Sequence, residues 1–316
     1  MTQQLDSMAE LLNAQQQDHI KHRLVSADQR RKRLQQVIDV VVAHHQEFVE
    51  AMELDFAGRS QGFSVMNDIL GSLASLKYAR DHLDSWMVSD NRQVFSPYDQ
   101  LGSTARIEYQ AKGSVGIIGT WNAPLYTLLS PLACVLAAGN RAILKPSEVT
   151  SKTADVLASV FAKELDPLIV GVVNGGVKVG VEFSHLPFDH LIFTGSSAVG
   201  KKIMQAAAQN LVPVALELGG KSPVVISDSC DLEETCKRIA IAKSNNGGQL
   251  CISPDIIYVP KHNIEQAASL ILETYKSLFP KITNNADVVP IVNQAHCQRV
   301  VDVIKQAQDS GCDVRA

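Results

Sequence analysis

From residue 113 onward, short runs rich in valine and isoleucine alternate with segments of helix length. Strands joined through helices need crossover connections, and these connections are right-handed and produce parallel strands. A parallel sheet is covered by helices on both faces, so its strands are apolar throughout instead of alternating. The five runs are Ser114–Ile118, Arg141–Leu144, Ile169–Val173, His190–Phe193 and Pro213–Glu217. The sequence therefore predicts an α/β fold built on a five-stranded parallel sheet.

The first hundred residues have a helical pattern. Ser26 and Gln29 form a capping-box pair at the head of the run 30–56. The basic cluster 30–33 opens that run, and we interpret it as the solvated face of a helix and not as a phosphate or targeting patch. A second run is predicted to form one continuous apolar helical stripe. Its members are Met66, Ile69, Leu70, Leu73, Leu76 and Leu83.

Three further patterns complete the predicted secondary structure. Residues 104–110 alternate well enough for an exposed strand. After Gly220 a second alternating region covers 222–226 and 255–259. Two helical patterns follow it, at 263–278 and 293–310.

Composition excludes several classes of protein. The 316 residues carry a formal net charge of −4, which argues against a dedicated nucleic-acid binder. No stretch reaches the ~18 apolar residues of a membrane span. The glutamine-rich start lacks the apolar segment of a signal peptide, and the six cysteines are scattered without a Cys-x-x-Cys pair. We therefore expect reduced thiols and a cytoplasmic protein. The nine histidines have no metal-ligand spacing, so no metal is expected.

Small, polar or charged residues follow every predicted strand of the sheet. They form the segments 119–124, 145–148, 174–176, 194–200 and 217–221. Ligands of parallel sheets bind beyond the carboxyl ends of the strands. These five segments are therefore the first candidates for a binding site.

Two of these segments, 194–200 and 145–148, each allow two interpretations. Gly195 and Ser196 begin a helix, where free N–H groups suit a pyrophosphate, but a glycine after a strand is also an ordinary turn. Lys145 and Glu148 stand where dinucleotide-binding folds place ribose-binding groups, and an acid there disfavours a 2′-phosphate. The alternative is a solvated helix start.

Cys251 follows the segment Asn246-Gly247-Gly248-Gln249-Leu250. A lone cysteine is most often a buried apolar residue, and nothing in the residues around the other five cysteines suggests more. The residues around Cys251 leave two interpretations open, a buried structural residue and a catalytic nucleophile.

Taken together, the motifs resemble the aldehyde dehydrogenase superfamily in order and spacing. The motifs that carry the resemblance are Gly119-Thr120-Trp121-Asn122, Lys145-Pro146-Ser147-Glu148, Phe193-Thr194-Gly195-Ser196, Glu217-Leu218-Gly219-Gly220-Lys221 and Gly248-Gln249-Leu250-Cys251. The resemblance extends from about Arg30 to the last residue. The segments 55–60, 186–191 and 210–214 are most similar to the coniferyl aldehyde dehydrogenase branch.

The resemblance implies a role for each candidate residue. Cys251 would be the nucleophile, Asn122 and the Cys251 N–H the oxyanion hole, and Glu217 the base that activates water. NAD would be the cofactor, with NADP as the alternative. The residues implied to bind it are Trp121, Lys145, Glu148, Gly175, Gly195 and Ser196.

The resemblance also implies a domain organisation. Residues 1–218 would form the N-terminal helices and a Rossmann-like NAD(P)-binding domain, with 99–112 as an oligomerisation segment. Residues 219–316 would form the first part of an α/β catalytic domain. The family's later glutamate–phenylalanine motif does not occur before Ala316. We therefore expect this catalytic domain to be incomplete, and a homodimer in the full-length protein.

The function implied is oxidation of an aromatic or medium-chain aldehyde to its acid, through a thiohemiacetal and a thioester on the cysteine. The alternative is an inactive fragment that at most binds a dinucleotide. Transfer of the acyl group to coenzyme A is a third reading, and Glu217 argues against it because a hydrolytic base competes with thiol acceptors.

Overall fold

The computed structural model describes residues 2–22 and 24–315, with side chains from residue 8 onward. Its α-helices are α1 (Thr2–Lys21), α2 (Ala27–Ala43), α3 (His45–Asp55), α4 (Gln61–Ser64), α5 (Gly71–Asp81), α6 (Leu83–Trp86), α7 (Tyr126–Ala137), α8 (Ser151–Glu164), α9 (Val177–Ser184), α10 (Ser197–Ala208), α11 (Leu232–Ser244), α12 (Ile264–Leu278) and α13 (Gln294–Asp309). Its strands are β1 (Asp90–Arg92), β2 (Ala105–Ile107), β3 (Ser114–Ile118), β4 (Arg141–Lys145), β5 (Val170–Val172), β6 (His190–Gly195), β7 (Val214–Leu218), β8 (Val224–Val225) and β9 (Ile257–Tyr258). A π-helix covers Val65–Leu70, and 3₁₀ turns cover Glu148–Thr150, Asn245–Gly248 and Lys261–Asn263.

The predicted five-stranded parallel sheet is confirmed. Its order is β5-β4-β3-β6-β7, and every neighbouring pair is parallel. Strands β3 and β4 are buried along their whole length, as expected for a sheet covered on both faces, and the burial includes the charged ends of β4, Arg141 and Lys145. Helix α7 packs on these strands with most of its residues buried, although Pro131 lies inside it.

Helix α1 agrees with the helical pattern of the first hundred residues, although no individual run was assigned to this segment. Met8 and Leu12 are buried, and the Nε2 of Gln15 donates to the carbonyl oxygens of Ala142 (3.0 Å) and Pro167 (2.8 Å). Asp18 forms an ion pair with the fully buried Arg141 at the start of β4. Because polar groups contribute part of its anchoring, the hydrophobic pattern of this segment is weak.

The capping box at Ser26 is confirmed, with both reciprocal hydrogen bonds present. The run 30–56 is two helices and not one, because the chain breaks at His44. The predicted apolar stripe of the second run is wrong in part. Ile69, Leu73, Leu76 and Leu83 are buried, whereas Met66 and Leu70 are exposed. The buried residues lie on the helix face that packs against α2 and α7, whereas Met66 and Leu70 lie outside that face.

The prediction that the basic cluster 30–33 forms a solvated helix face is wrong for its first residue. Arg30 is buried, and its guanidinium donates to the carbonyl oxygens of Val25 (3.0 Å) and Ala137 (2.9 Å). A Cβ added at Gly139 would approach the Arg30 guanidinium to 3.0 Å. Arg30 therefore closes the C-terminal end of α7, where free carbonyl groups need donors.

The predicted exposed strand 104–110 is shorter than expected. Only β2 forms, and it pairs antiparallel with β1, a strand that the sequence did not predict. Both strands are largely exposed. The role of 99–112 in oligomerisation stays a prediction.

The chain beyond Leu218 forms a second unit of secondary structure. Strands β8 and β9 pair in parallel, and α11 lies between them in sequence and packs on α12. Both predicted helical patterns are confirmed, as α12 and α13. The division of the chain at residue 218 stays a prediction.

Within residues 2–22 and 24–315, no helix is both long and apolar enough to cross a membrane. Over the same residues, no group of three His, Cys, Asp or Glu side chains could hold a metal ion. All six cysteines are free thiols.

Candidate active site at the carboxyl edge of the sheet

The parallel sheet brings the candidate segments to one edge. The N–H of Gly119, after β3, donates to the carbonyl oxygen of Lys145 at the end of β4 (3.1 Å). Thr194 at the end of β6 is in register with Glu217 on β7. The N–H of Val173, just before the segment 174–176, donates to the carbonyl oxygen of Leu144 (2.8 Å). All five segments chosen from the sequence therefore begin side by side, as the parallel topology requires.

Asn122 connects the loop after β3 to the segment that carries the candidate cysteine. Its Nδ2 donates to the carbonyl oxygen of Gln249 (2.9 Å), two residues before Cys251. The backbone oxygen of Asn122 accepts from the side chains of Asn246 (3.1 Å) and Arg59 (3.3 Å). An acceptor faces the amide nitrogen, so the orientation of the Asn122 amide is determined by its partner.

A buried ion pair lies against this loop. Arg59 and Asp68 are both fully buried and bonded to each other, and Asp68 also accepts from the backbone N–H groups of Leu125 (3.0 Å) and Tyr126 (3.2 Å). The Arg59 guanidinium lies 4.9 Å from the ring of Phe56. Burial lowers the pKa of Arg59 and the Asp68 carboxylate opposes this shift. The pair holds the chain from both sides of the Ala123–Pro124 step.

Cys251 lies in a turn and is exposed, which contradicts the structural reading of a buried thiol. Its carbonyl oxygen accepts from the hydroxyl of Ser222 (3.2 Å). The preceding residues Asn246, Gly247 and Gly248 all have left-handed backbones, with φ of 52°, 62° and 74°. Three successive residues in this region reverse the chain sharply before the cysteine.

Glu217 lies on β7 and is exposed, and within the described part of the chain no hydrogen bond or ion pair engages its carboxylate. It is linked to the cysteine segment through the residues that follow it. The N–H of Ile256 donates to the oxygen of Lys221 (3.2 Å), beside the Ser222–Cys251 hydrogen bond. The segments of Glu217 and Cys251 are thus adjacent, although among the described residues no hydrogen bond joins the two side chains.

Lys145 and Glu148 form a close pair after β4. The Lys145 side chain is only 2% exposed, and its Nζ donates to the oxygen of Pro146 (2.6 Å) and lies 4.0 Å from a Glu148 oxygen. Burial lowers the pKa of Lys145, and Glu148 opposes the shift. Ser147 caps the 3₁₀ turn that begins at Glu148, so the helix-start reading also holds here. An ammonium group has three donors, which leaves Lys145 able to bind a further acceptor.

The helix start at Ser196 has the geometry of an N-cap. Its hydroxyl accepts from the N–H of Val199 (3.3 Å) at the head of α10. A Cβ at Gly195 would approach the Phe193 ring to 2.4 Å, and one at Gly175 would approach Val179 to 2.6 Å. Both glycines are therefore required by packing in the protein itself. The first turn of any helix also has N–H groups without intrahelical partners, and such groups can bind an anion.

Trp121 lies between two parts of the chain. Its ring centroid is 4.7 Å from that of His296 and 6.4 Å from that of Phe56. Phe56 forms a small buried cluster with Val289 and Val292, against which Trp121 packs. Trp121 thus joins the loop after β3 to the segment before α13.

The patterns missed four residues that hold this site together, namely Arg59, Asp68, Asn246 and Gln249. Arg59 and Asp68 occur in a helical region where charged residues are expected to be exposed. Asn246 and Gln249 are close to the cysteine in sequence, but their partners lie as far as 127 residues away. The only signal for Asn246 and Gln249 was their place in the segment that leads into Cys251.

Comparison with known proteins gives a consistent result. A sequence model described as the aldehyde dehydrogenase family matches residues 3–316. A probable coniferyl aldehyde dehydrogenase of Caulobacter vibrioides is 40% identical over 97% of this chain and 64% of its own length. A coniferyl aldehyde dehydrogenase of a Pseudomonas species is 37% identical over 97% of this chain and 63% of its own length.

Solved structures agree with the fold. A substrate-bound AldH of Staphylococcus aureus matches with a TM-score of 0.88 at 30% identity, over 95% of this chain and 65% of that protein. An aldehyde dehydrogenase of Mycobacterium tuberculosis, solved with NAD+, matches with a TM-score of 0.85 at 25% identity, over 97% of this chain and 63% of that protein. This chain therefore spans somewhat less than two thirds of the length of these relatives. On the match over residues 3–316 and on these identities, the chain belongs to the aldehyde dehydrogenase family.

Proposed function

We propose that the site carries out NAD-dependent oxidation of an aldehyde to the carboxylic acid, with Cys251 as the nucleophile. The observation that carries this proposal is the Asn122–Gln249 hydrogen bond, which brings an amide donor to the backbone beside an exposed cysteine. Acyl chemistry on a thiol needs such a donor, because negative charge develops on the carbonyl oxygen. Two curated relatives that the chain matches at 40% and 37% identity are named for coniferyl aldehyde, which favours an aromatic substrate over a medium-chain one.

The chain's own residues would act in sequence. The Cys251 thiolate attacks the aldehyde carbon, and the oxygen of the new thiohemiacetal accepts from the Asn122 amide and the Cys251 N–H. Loss of hydride leaves a thioester on Cys251. Glu217 then takes a proton from water, the hydroxide adds to the thioester, and the carbon–sulfur bond breaks to release the acid and the thiolate.

NAD supplies the acceptor for the hydride. Lys145 and Glu148 would hold the adenosine ribose, because the buried ammonium keeps spare donors and the partly exposed carboxylate can accept from hydroxyl groups. Gly195 and Ser196 would present the start of α10 to the pyrophosphate. Trp121 and Gly175 would line the cleft.

The direct test is to incubate the chain with NAD and either coniferyl aldehyde or octanal. We expect the absorbance of NADH to rise, and to rise faster with the aromatic aldehyde. Calorimetric titration with NAD, carried out in parallel, separates binding from turnover. Binding without NADH formation would favour the alternative, a chain that binds the dinucleotide but does not oxidise aldehydes.

Glu217→Gln should separate hydride transfer from hydrolysis. We expect one equivalent of NADH to form rapidly and steady turnover to fall by roughly 10²–10⁴-fold, because the thioester persists without its base. Intact-protein mass spectrometry should show the acyl group on Cys251. The matched control is Glu273→Gln, an exposed carboxylate on α12, which should turn over like the wild type. An unchanged steady rate in the Glu217 variant would show that another group activates the water.

Glu148→Gln should weaken discrimination between cofactors. A carboxylate beside the ribose repels a 2′-phosphate, and removing its charge should lower the ratio of NADP to NAD dissociation constants by roughly tenfold. Calorimetry measures this ratio without any need for turnover. A ratio that does not change would assign the discrimination to other residues.

The segment 99–112 would contribute to a homodimer. Leu101 and Tyr109 are 75% and 61% exposed, and these apolar surfaces flank the exposed strand β2. The molar mass in solution, measured by light scattering, tests this part of the proposal.

A further inference from the structure

The turn before Cys251 is built in a conformation that needs support. Asn246 is a non-glycine residue with φ of 52° and is buried, and the two glycines after it also have positive φ. A Cβ at Gly247 would approach the carbonyl oxygen of Val289 to 2.8 Å. The turn is therefore pressed against the segment 289–292, and its shape depends on that contact.

The side chain of Gln249 makes this contact specific. Its Nε2 donates to the carbonyl oxygens of Asn246 (2.8 Å) and Pro290 (3.0 Å), and its Oε1 accepts from the N–H of Val292 (3.1 Å). Both amide hydrogens are used, and the partners determine which end of the amide carries the nitrogen. A single side chain thus closes the turn on itself and ties it to a segment 41 residues away.

The backbone oxygen of Gln249 receives the Asn122 amide. The Nδ2 of Asn122 donates to it at 2.9 Å, and the Nδ2 of Asn246 donates to it at 3.4 Å and to the Asn122 oxygen at 3.1 Å. An amide nitrogen carries two hydrogens in one plane, so holding one of them fixes the direction of the other. The carbonyl of Gln249 therefore sets where the second hydrogen of Asn122 points.

We propose that Gln249 is a positioning residue, whose side-chain amide holds the turn so that its backbone oxygen aims the Asn122 amide at the oxyanion. This inference rests on the proposed aldehyde oxidation, in which Asn122 stabilises the thiohemiacetal. Preorganised donors matter because a small misplacement of a catalytic group costs about two orders of magnitude in rate. Gln249 does not itself contact the reacting atoms.

Gln249→Glu is the informative variant, because it keeps the size of the side chain. An ionised carboxylate can still accept from the N–H of Val292, but it donates to neither Asn246 nor Pro290. A protonated carboxyl group donates once and restores one of the two bonds. Two carbonyl oxygens facing the carboxylate favour the protonated form, so the change falls in an accessible pH range.

We expect kcat of Gln249→Glu to fall by roughly 10–100-fold at pH 8, with KM for NAD within about threefold of the wild-type value. At pH 6 the ratio of wild-type kcat to variant kcat should be at least about threefold smaller than at pH 8. Gln249→Met, which cannot donate at any pH, should lose a similar factor at both pH values. Gln298→Glu, which adds the same charge at an exposed position on α13, should behave as the wild type.

A second measurement does not depend on turnover. The side-chain amide signal of Asn122, assigned from its loss in Asn122→Asp, should exchange slowly with solvent in the wild type and quickly in Gln249→Glu at pH 8. If no variant or wild type oxidises aldehydes, the proposed function fails and this exchange still decides the role of Gln249. The inference would be overturned if Gln249→Glu at pH 8 kept both the wild-type kcat and the wild-type exchange rate of the Asn122 amide. It would also be overturned if Gln249→Glu lost the same factor in kcat at pH 6 and at pH 8.

Discussion

Replacing Cys251 by alanine is expected to abolish aldehyde oxidation while leaving NAD binding intact. Without the thiol no thiohemiacetal forms, and removal of a nucleophile that acts through a covalent intermediate costs on the order of 10⁵-fold in kcat or more. Cys251 is exposed in a turn, so truncation of its side chain opens no cavity in the core. The rate of NADH formation and the dissociation constant for NAD are the two measurements.

The other cysteines provide the controls for this experiment. Cys312 is also exposed, and Cys297 is partly exposed on α13. Cys312→Ala and Cys297→Ala should keep the wild-type rate, and both should still gain an acyl group at Cys251 when hydrolysis is slowed by Glu217→Gln. A Cys251→Ala protein that turns over at a rate near that of the wild type would show that another residue is the nucleophile.

The sheet was predictable because its signal is local. Each buried strand is a short apolar run, and β3 begins and ends at the residues that the pattern indicates. The glycine and polar segments after the strands could be assigned to one edge because parallel strands end on the same side. The family resemblance added roles for Cys251, Glu217 and Asn122, which periodicity alone does not supply.

The supports of the site were not predictable for the same reason. The amide of Asn122 meets an oxygen 127 residues away, and the side chain of Gln15 meets one 152 residues away. No period in the sequence encodes such pairings. Met66 and Leu70 show the converse error, since their spacing is helical and yet their face is not covered.

The buried pair of Arg59 and Asp68 is expected to dominate the stability of the loop that carries Asn122. Asp68→Ala leaves a guanidinium in the interior without its counter-charge and leaves the N–H groups of Leu125 and Tyr126 without an acceptor. Breaking a buried pair from one side costs about 3–5 kcal/mol. The free energy of unfolding from urea titration should fall by about that amount. Asp81→Ala, which removes an exposed ion pair with Arg80, should leave it unchanged within error.

Removing both charges of the pair should lower the free energy of unfolding less than removing one. In Arg59→Met with Asp68→Leu no charge is left buried, so the part of the lost free energy of unfolding that comes from the unpaired charge should return. The two backbone N–H groups of the α7 start remain without an acceptor in the double variant, and each unpaired buried donor costs about 1–3 kcal/mol. The double variant should therefore be more stable than Asp68→Ala and less stable than the wild type. Its kcat should stay low even where it is folded, because neither the guanidinium on the Asn122 oxygen nor the carboxylate at the head of α7 remains to hold the loop. Equal stability of the double variant and Asp68→Ala would show that the lost hydrogen bonds, and not the unpaired charge, cause the damage.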